Sequence, residues 1–327
     1  WVLAEPAAGG GGAVGAAPAP TPNPAITWSV DGTVPDSGIS ATTWPGPIGC
    51  ATVGDGRELS LGLSADGSAQ LTSGDLSLAG PQLALWRAPT ENDLIPHVPS
   101  QFVQPGNGWI ALGLNRLTPR WRVGKGGALE AVYLHGDTER GRMTLSLAQA
   151  EAAVAPAAGW YRLDVVVTVD KSVTDLPRVG LRMDLPEGFE QLQWYGRGPV
   201  ESYPDRTAGY PVGLHTGTVT EQYVPYVVPQ EHGGHADTRY VALGGAGHRI
   251  ILAAGAGETF QFSALHTAPE DLDTLTHTWQ IEPRKETILI ADHFHRGIGT
   301  AACGPDTHPR WRRGAGEYRW SWYVRVE

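Results

Sequence analysis

The sequence predicts an all-β chain of large antiparallel sheets, on three observations. Apolar residues recur with period two in several segments, as half-buried strands require. The 43 Gly and 26 Pro among 327 residues interrupt the chain every several positions, which suits short strands and turns. No long segment carries the apolar stripe of an amphipathic helix. A β chain of about 300 residues implies two large stacked sheets, and no internal repeat is visible.

Taken in order, Trp1 to Glu5 read as the end of a strand. Residues 6–25 are low-complexity Gly, Ala and Pro, too poor in apolar surface to offset their ordering entropy, and predict a flexible to semi-rigid linker. Period two sets in from Ile26. Asp55-Gly56, Asp66-Gly67 and Gly126-Gly127 mark turns, because Gly supplies positive φ without steric cost. Leu163, Val165, Val167 and Val169 alternate with Arg162, Asp164, Val166 and Thr168. Val179, Leu181, Met183 and Leu185 do the same around Gly180, Arg182 and Asp184. Tyr318, Trp320, Trp322, Val324 and Val326 share one parity against Arg319, Ser321, Tyr323, Arg325 and Glu327, so Trp320 and Trp322 read as core. Trp109 and Trp311, near loops, are the better candidates for exposed contacts.

Net charge is −10, which argues against nucleic acid and anionic membrane as partners, since both select a basic face. No apolar run is long enough to span a bilayer. Cys50 and Cys303 do not make a disulfide framework, and free thiols in a reducing cytoplasm are the expectation. The chain starts at Trp1 with neither an initiator Met nor a signal peptide, as expected of a piece of a longer protein or a processed one.

The stretch from Trp194 to Arg239 is the densest in chemistry. Trp194, Tyr203, Tyr210, Tyr223 and Tyr226 lie among Arg197, Glu201, Asp205, Arg206, Glu231, His232, His235, Asp237 and Arg239. Rings that stack on pyranose C–H faces, beside polar groups that bond vicinal hydroxyls, would form a sugar-facing groove. The same residue types also fill a core and pair at its rim.

Three motifs carry a family resemblance. Trp194, Gly196, Gly198, Pro199, Glu201, Tyr203, Asp205 and Arg206, followed by Tyr223, Pro225 to Pro229, Glu231 and Gly233, resemble the C-terminal domain of the large β-galactosidases of glycoside hydrolase family 2. That domain also occurs as the small subunit of two-chain β-galactosidases. Trp86 to Asp93 upstream and Asp292 to Gly299 downstream match in the family's order and spacing. The resemblance implies a galactose-mutarotase-like super-sandwich over residues 28–327, with 1–27 the end of an immunoglobulin-like domain plus the linker. It implies part of a retaining β-galactosidase acting on terminal β-D-galactosides. The partner is then the catalytic barrel, in cis or as a separate large chain, and oligomers are usual.

Retaining hydrolysis needs two carboxylates about 5–5.5 Å apart. Glu201, Asp205, Glu231 and Asp237 are of the right type. In the family, however, both catalytic carboxylates belong to the barrel, and so do any Mg and Na sites. The resemblance therefore implies no catalytic residue, metal or cofactor in this chain, which alone would be inactive. The groove candidates are Trp194, Arg197, Glu201, Tyr203, Asp205, Arg206, Glu231, His232 and Arg239. The pocket-loop candidates are His295, Cys303 and Asp306, because the segment 299–307 stands where many members carry a G-G-D-D-S-W loop that reaches the sugar. Cys303 falls at the Trp of that loop, and Ala301 and Ala302 replace its acidic pair. A thiol offers no stacking face. A metal reading rests on His293 and His295, two apart and so on one face of a strand, and on Glu231, His232 and His235. An aldose 1-epimerase reading rests on the His and Glu of that same cluster. A galactoside-binding module without chemistry is the further alternative.

Overall fold

The computed structural model describes residues 57–94, 105–151, 159–299 and 305–327. The strand end and linker expected within 1–27, the domain start at 28, the Asp55-Gly56 turn, Cys50 and Cys303 lie outside the described residues.

Strands β1 (Ser60–Leu63), β2 (Ala69–Ser73) and β3 (Leu76–Ala84) form a meander. The first turn is built by Asp66, whose Oδ1 accepts from Ser64 Oγ and Ser68 N, with Gly67 at φ 83°. Next come β4 (Thr118–Val123), β5 (Leu129–His135), β6 (Thr138–Gln149) and β7 (Tyr161–Val169). Gly126 and Gly127, at φ 70° and 82°, turn the chain between β4 and β5. Then follow β8 (Arg178–Leu185), β9 (Phe189–Arg197), β10 (Val212–Thr218), β11 (His235–Thr238) and β12 (Tyr240–Gly245). The last are β13 (His248–Ala254), β14 (Phe260–Leu265), β15 (Thr287–His295) and β16 (Gly316–Val326).

These strands make two antiparallel sheets. The 7-stranded sheet has the order β1-β2-β3-β8-β15-β14-β11, and the 9-stranded sheet β10-β9-β12-β13-β16-β7-β6-β5-β4. One apolar core lies between them. Leu163, Val165 and Val167 of β7 and Trp322, Val324 and Val326 of β16 meet Leu181 and Met183 of β8, Leu289 of β15 and Phe262 of β14. The Phe260 and Trp322 rings sit 5.5 Å apart across the gap. Tyr133 Oη on β5 accepts the Leu83 amide of β3 at 2.7 Å, and Thr287 Oγ1 donates to Phe189 O at 2.5 Å. The sheets are therefore tied by hydrogen bonds as well as by packing.

The alternation read in β7 is the burial observed, in β8 it holds from Leu181 onward while Arg178 and Gly180 are buried as well, and Trp320 and Trp322 are core. The C-terminal strand departs from simple alternation. Tyr323 and Arg325 are buried too. A second apolar cluster of Trp160, Tyr240, Ala242, Ile251, Ala253 and Tyr323 lies on the other face of the 9-stranded sheet and encloses that parity. Trp109, expected at the surface, is 1% exposed. Its indole donates to Asp175 and its ring lies under the Arg87 guanidinium, 5.1 Å away.

Candidate functional site

The three sequence motifs converge at one end of the sandwich. Segment 198–234 connects β9 to β11, and Gly233 places its amide against Glu201. Beneath this segment lies a buried charged cluster. Arg178, at the head of β8, donates to Glu231 Oε1 at 2.6 Å, and its Nε is 3.5 Å from Asp292 Oδ1 on the neighbouring β15. The strands approach closely because position 180 is Gly. A Cβ there would fall 2.3 Å from Ala291 O and 2.4 Å from Asp292 Oδ1. Burial favours the neutral acid, and with the Glu231 charge nearby it pushes the Asp292 carboxyl up to about 7 against the pull of Arg178. Burial, the largest single influence, raises Glu231, but Arg178, His295 and Arg87 together outweigh it and bring that carboxyl down to about 2. His295 is kept neutral, mainly by burial, with its pKa lowered to about 4. Its Nδ1 faces Arg296 O at 2.7 Å, so the ring proton belongs on Nδ1, and Nε2 lies 3.5 Å from Glu231.

The upstream motif locks onto this cluster. Arg87 and Asp93 form a fully buried pair, with both carboxylate oxygens within 3.0 Å of Nη2. Arg87 Nη1 also donates to Arg296 O at 2.8 Å, and the Glu231 amide donates to Ala88 O at 3.1 Å. The downstream motif is held from two sides. Asp205 accepts the amides of Ile298 and Gly299, while Arg296 donates to Asp306 Oδ1 at 2.6 Å and Thr307 Oγ1 at 2.8 Å. A cleft of about 490 Å³ opens beside Asp306, lined also by Trp109, Asp175 and Arg312.

Most of the proposed sugar groove is not at the surface. Trp194 is 1% exposed, packed between His235 (4.3 Å) and His215 (5.1 Å), with its indole N–H donating to Arg197 O at 2.9 Å. Tyr203, Glu201, Glu231 and His232 are buried as well. Tyr203 packs on His295, and His232 Nδ1 meets Gln230 O at 2.9 Å. Arg197 is half-buried between Asp237 and Tyr210 O, and Arg239 lies over the Tyr195 ring. Arg206 is half-buried, bonding Glu201 Oε1 at 3.0 Å and Tyr210 Oη at 3.2 Å. Trp194 is therefore a core residue on the inward face of β9, and Glu201, Tyr203, Glu231 and His232 are enclosed by the segment that follows it.

The carboxylates considered for hydrolysis are all committed to protein donors. Glu201 accepts from Gly233 N, Arg206 and Tyr226 Oη, and Asp205 from two amides. Glu231 accepts from Arg178 and Asp237 from Arg197. His293 and His295 do not share a face, which corrects the metal reading. A register shift between Asp292 and Phe294 inserts one residue into β15. His293 stacks on Trp320 at 4.8 Å, while His295 turns to Glu231. Among the described residues no group of three His, Cys, Asp or Glu side chains is arranged to hold a metal ion. The sequence reading missed Arg178 and Asp175. The one signal for Arg178 was an arginine at the head of an apolar alternating run.

A family model described as "Beta galactosidase small chain" matches residues 59–324. The β-galactosidase of Arthrobacter sp. (strain B7) is 32% identical over 272 residues, 75% of this chain and 26% of that protein. The Staphylococcus xylosus β-galactosidase is 28% identical, over 70% of this chain and 22% of its own length. That of Vibrio vulnificus (strain YJ016) is 30% identical, over 79% and 24%. The chain thus spans about a quarter of these relatives. A solved structure of a putative aldose 1-epimerase from Escherichia coli K12 is similar at TM-score 0.34 and 12% identity, over 64% of this chain and 68% of that one.

Proposed function

This chain belongs to the beta-galactosidase small-chain family, and we propose that it is the non-catalytic sandwich of a β-galactosidase that cleaves terminal β-D-galactosides with retention. The two carboxylates of that chemistry stand about 5–5.5 Å apart around the anomeric carbon, and they belong to the catalytic portion, joined in cis or supplied as a separate chain. The sandwich packs on that portion and completes its active-site pocket through segment 299–307 with Cys303. The assembled enzyme is an oligomer of the cytoplasm. One observation carries the reading. Glu201, Asp205, Glu231 and Asp237 are each engaged by structural donors, and Glu201 and Glu231 are buried, which weighs against any two of them working as an accessible nucleophile and acid/base pair.

The burial of Trp194 weighs against a free-standing sugar-binding module, which needs an accessible ring. Burial drives His235 down to about 3, which weighs against an epimerase acid there. The test is hydrolysis of an aryl β-galactoside by the isolated chain, and then by the chain mixed with the catalytic portion of its own enzyme. Activity only on mixing is expected. Turnover by the isolated chain, free of contaminating enzyme, would sink the proposal.

A further inference from the structure

The surface of the 198–228 segment is apolar where its interior is polar. Among the described residues, four of the seven exposed large hydrophobic side chains fall between positions 200 and 227. They are Val200 at 57% exposure, Val212 at 39%, Tyr223 at 40% and Val227 at 82%. The loops that carry three of them, Val200, Tyr223 and Val227, are tied to one buried hub, Glu201. Val200 precedes Glu201 in the chain, and Val227 follows Tyr226, whose hydroxyl bonds Glu201. Gly198 N donates to Pro211 O, which brings Val212 beside the start of the segment. Tyr223 packs edge-on against His232, one residue before the Gly233 amide that also bonds Glu201. Glu201 thus anchors the loops that carry these exposed side chains, and it also holds Arg206, whose guanidinium lies over Tyr210.

That composition fits a protein partner and not a sugar. Exposed valines give a pyranose neither a flat face nor a hydrogen bond, and the largest ring of the segment's motif, Trp194, is inside, which leaves Tyr223 as the exposed ring among three valines. Tyr, Arg and desolvated aliphatic groups on a preorganised surface are the composition of interface centres. We infer that the Val200–Val227 face is the seat of the catalytic portion of the same enzyme. This rests on the proposed function and deepens it by naming the surface. Two observations select that occupant over a second copy of the chain. The chain spans 26% or less of the relatives described above, so about three quarters of such an enzyme lies outside it and must bury surface against it. The face is also continuous, through Asp205, with Ile298 and Gly299, which lead into the pocket segment.

The test measures association of the 327-residue chain with the catalytic portion of its own enzyme, by co-elution and by titration. Val200→Asp, Val227→Asp and Tyr223→Ala are compared with Val123→Asp and Trp279→Asp, controls at similarly exposed apolar sites elsewhere. All are surface changes, and circular dichroism confirms folding. The face variants are expected to bind at least about tenfold more weakly, while the controls stay within about twofold. Equal binding by all variants, or loss confined to the controls, overturns the assignment. So does an effect on self-association alone. If the wild-type chain does not bind the catalytic portion at all, the proposed function itself fails, which is a separate result.

Discussion

Asp205 accepts the amide of Gly299 at 2.8 Å across 94 residues of sequence. Its second oxygen accepts Ile298 N at 3.0 Å, so one carboxylate fixes two consecutive amides at the start of segment 299–307. Gly297 and Gly299 are small for this reason. A Cβ on either would fall 2.5 Å or 2.8 Å from Asp205 Oδ2. Asp205→Ala leaves both amides without their acceptor and should cost about 1–3 kcal/mol. Urea denaturation of the chain measures that loss. In the assembled enzyme the same variant should lower kcat/KM for an aryl β-galactoside beyond what its residual folded fraction explains. Unchanged stability and unchanged kcat/KM together would remove Asp205 from any role in holding this segment.

Trp194 fixes the core end of β9. Its ring is enclosed by His235, His215 and Phe262, so truncation to Ala opens a large void. The expected cost is about 3–5 kcal/mol, read from denaturant midpoints. Trp194→Phe should fold and should give the same galactose and lactose calorimetry as the wild type. A sugar heat that vanishes with Trp194→Phe would restore the groove reading.

Arg178 neutralises Glu231 in a site without solvent. Arg178→Met removes the positive charge and strands that carboxylate, with an expected loss of about 3–5 kcal/mol. Adding Glu231→Gln should recover part of it, because the stranded charge goes with the substitution. A double-mutant cycle with no coupling between the two changes would show that the pair does not act as a unit.

Much of the fold was readable and much of the site was not, for different reasons. The period of β7 alone places Leu163, Val165 and Val167 inside, because a strand has only two faces. The inserted residue at His293 is invisible to that rule, and it sends His293 and His295 to opposite sides. Trp194 and Tyr203 announce themselves by type, but type does not say that β9 turns the first into the core or that the connection after it buries the second. Arg178 looks like an exposed strand arginine until Glu231 and Asp292, 53 and 114 residues later, are folded onto it. Composition identified Glu231 and Trp194 as groups of interest, but it missed Arg178 and Asp175, because only the tertiary pairing fixes what each one touches.

Asp292 supplies the pH prediction. Burial, with the Glu231 charge, raises its carboxyl to about 7, from an ordinary 3.8. Arg178 and Arg87 pull the other way, and the neutral His295 is the further titratable neighbour in the cluster. Between about pH 4 and pH 7 the folded chain therefore holds a proton that the unfolded chain has released. By linkage, the stability from this group is complete below the ordinary value and is lost as pH rises toward 7. Asp292→Asn cannot lose that proton. Measured by urea denaturation at steps from pH 4 to pH 8, the variant should gain on the wild type as pH rises, with most of the change below pH 7. Glu231 runs in the opposite sense, losing its contribution only as pH falls below its ordinary 4.5 toward 2, so it stays out of most of this window. A stability difference between variant and wild type that stays constant across the series would mean that Asp292 is ionised throughout, with Arg178 and not burial controlling its charge.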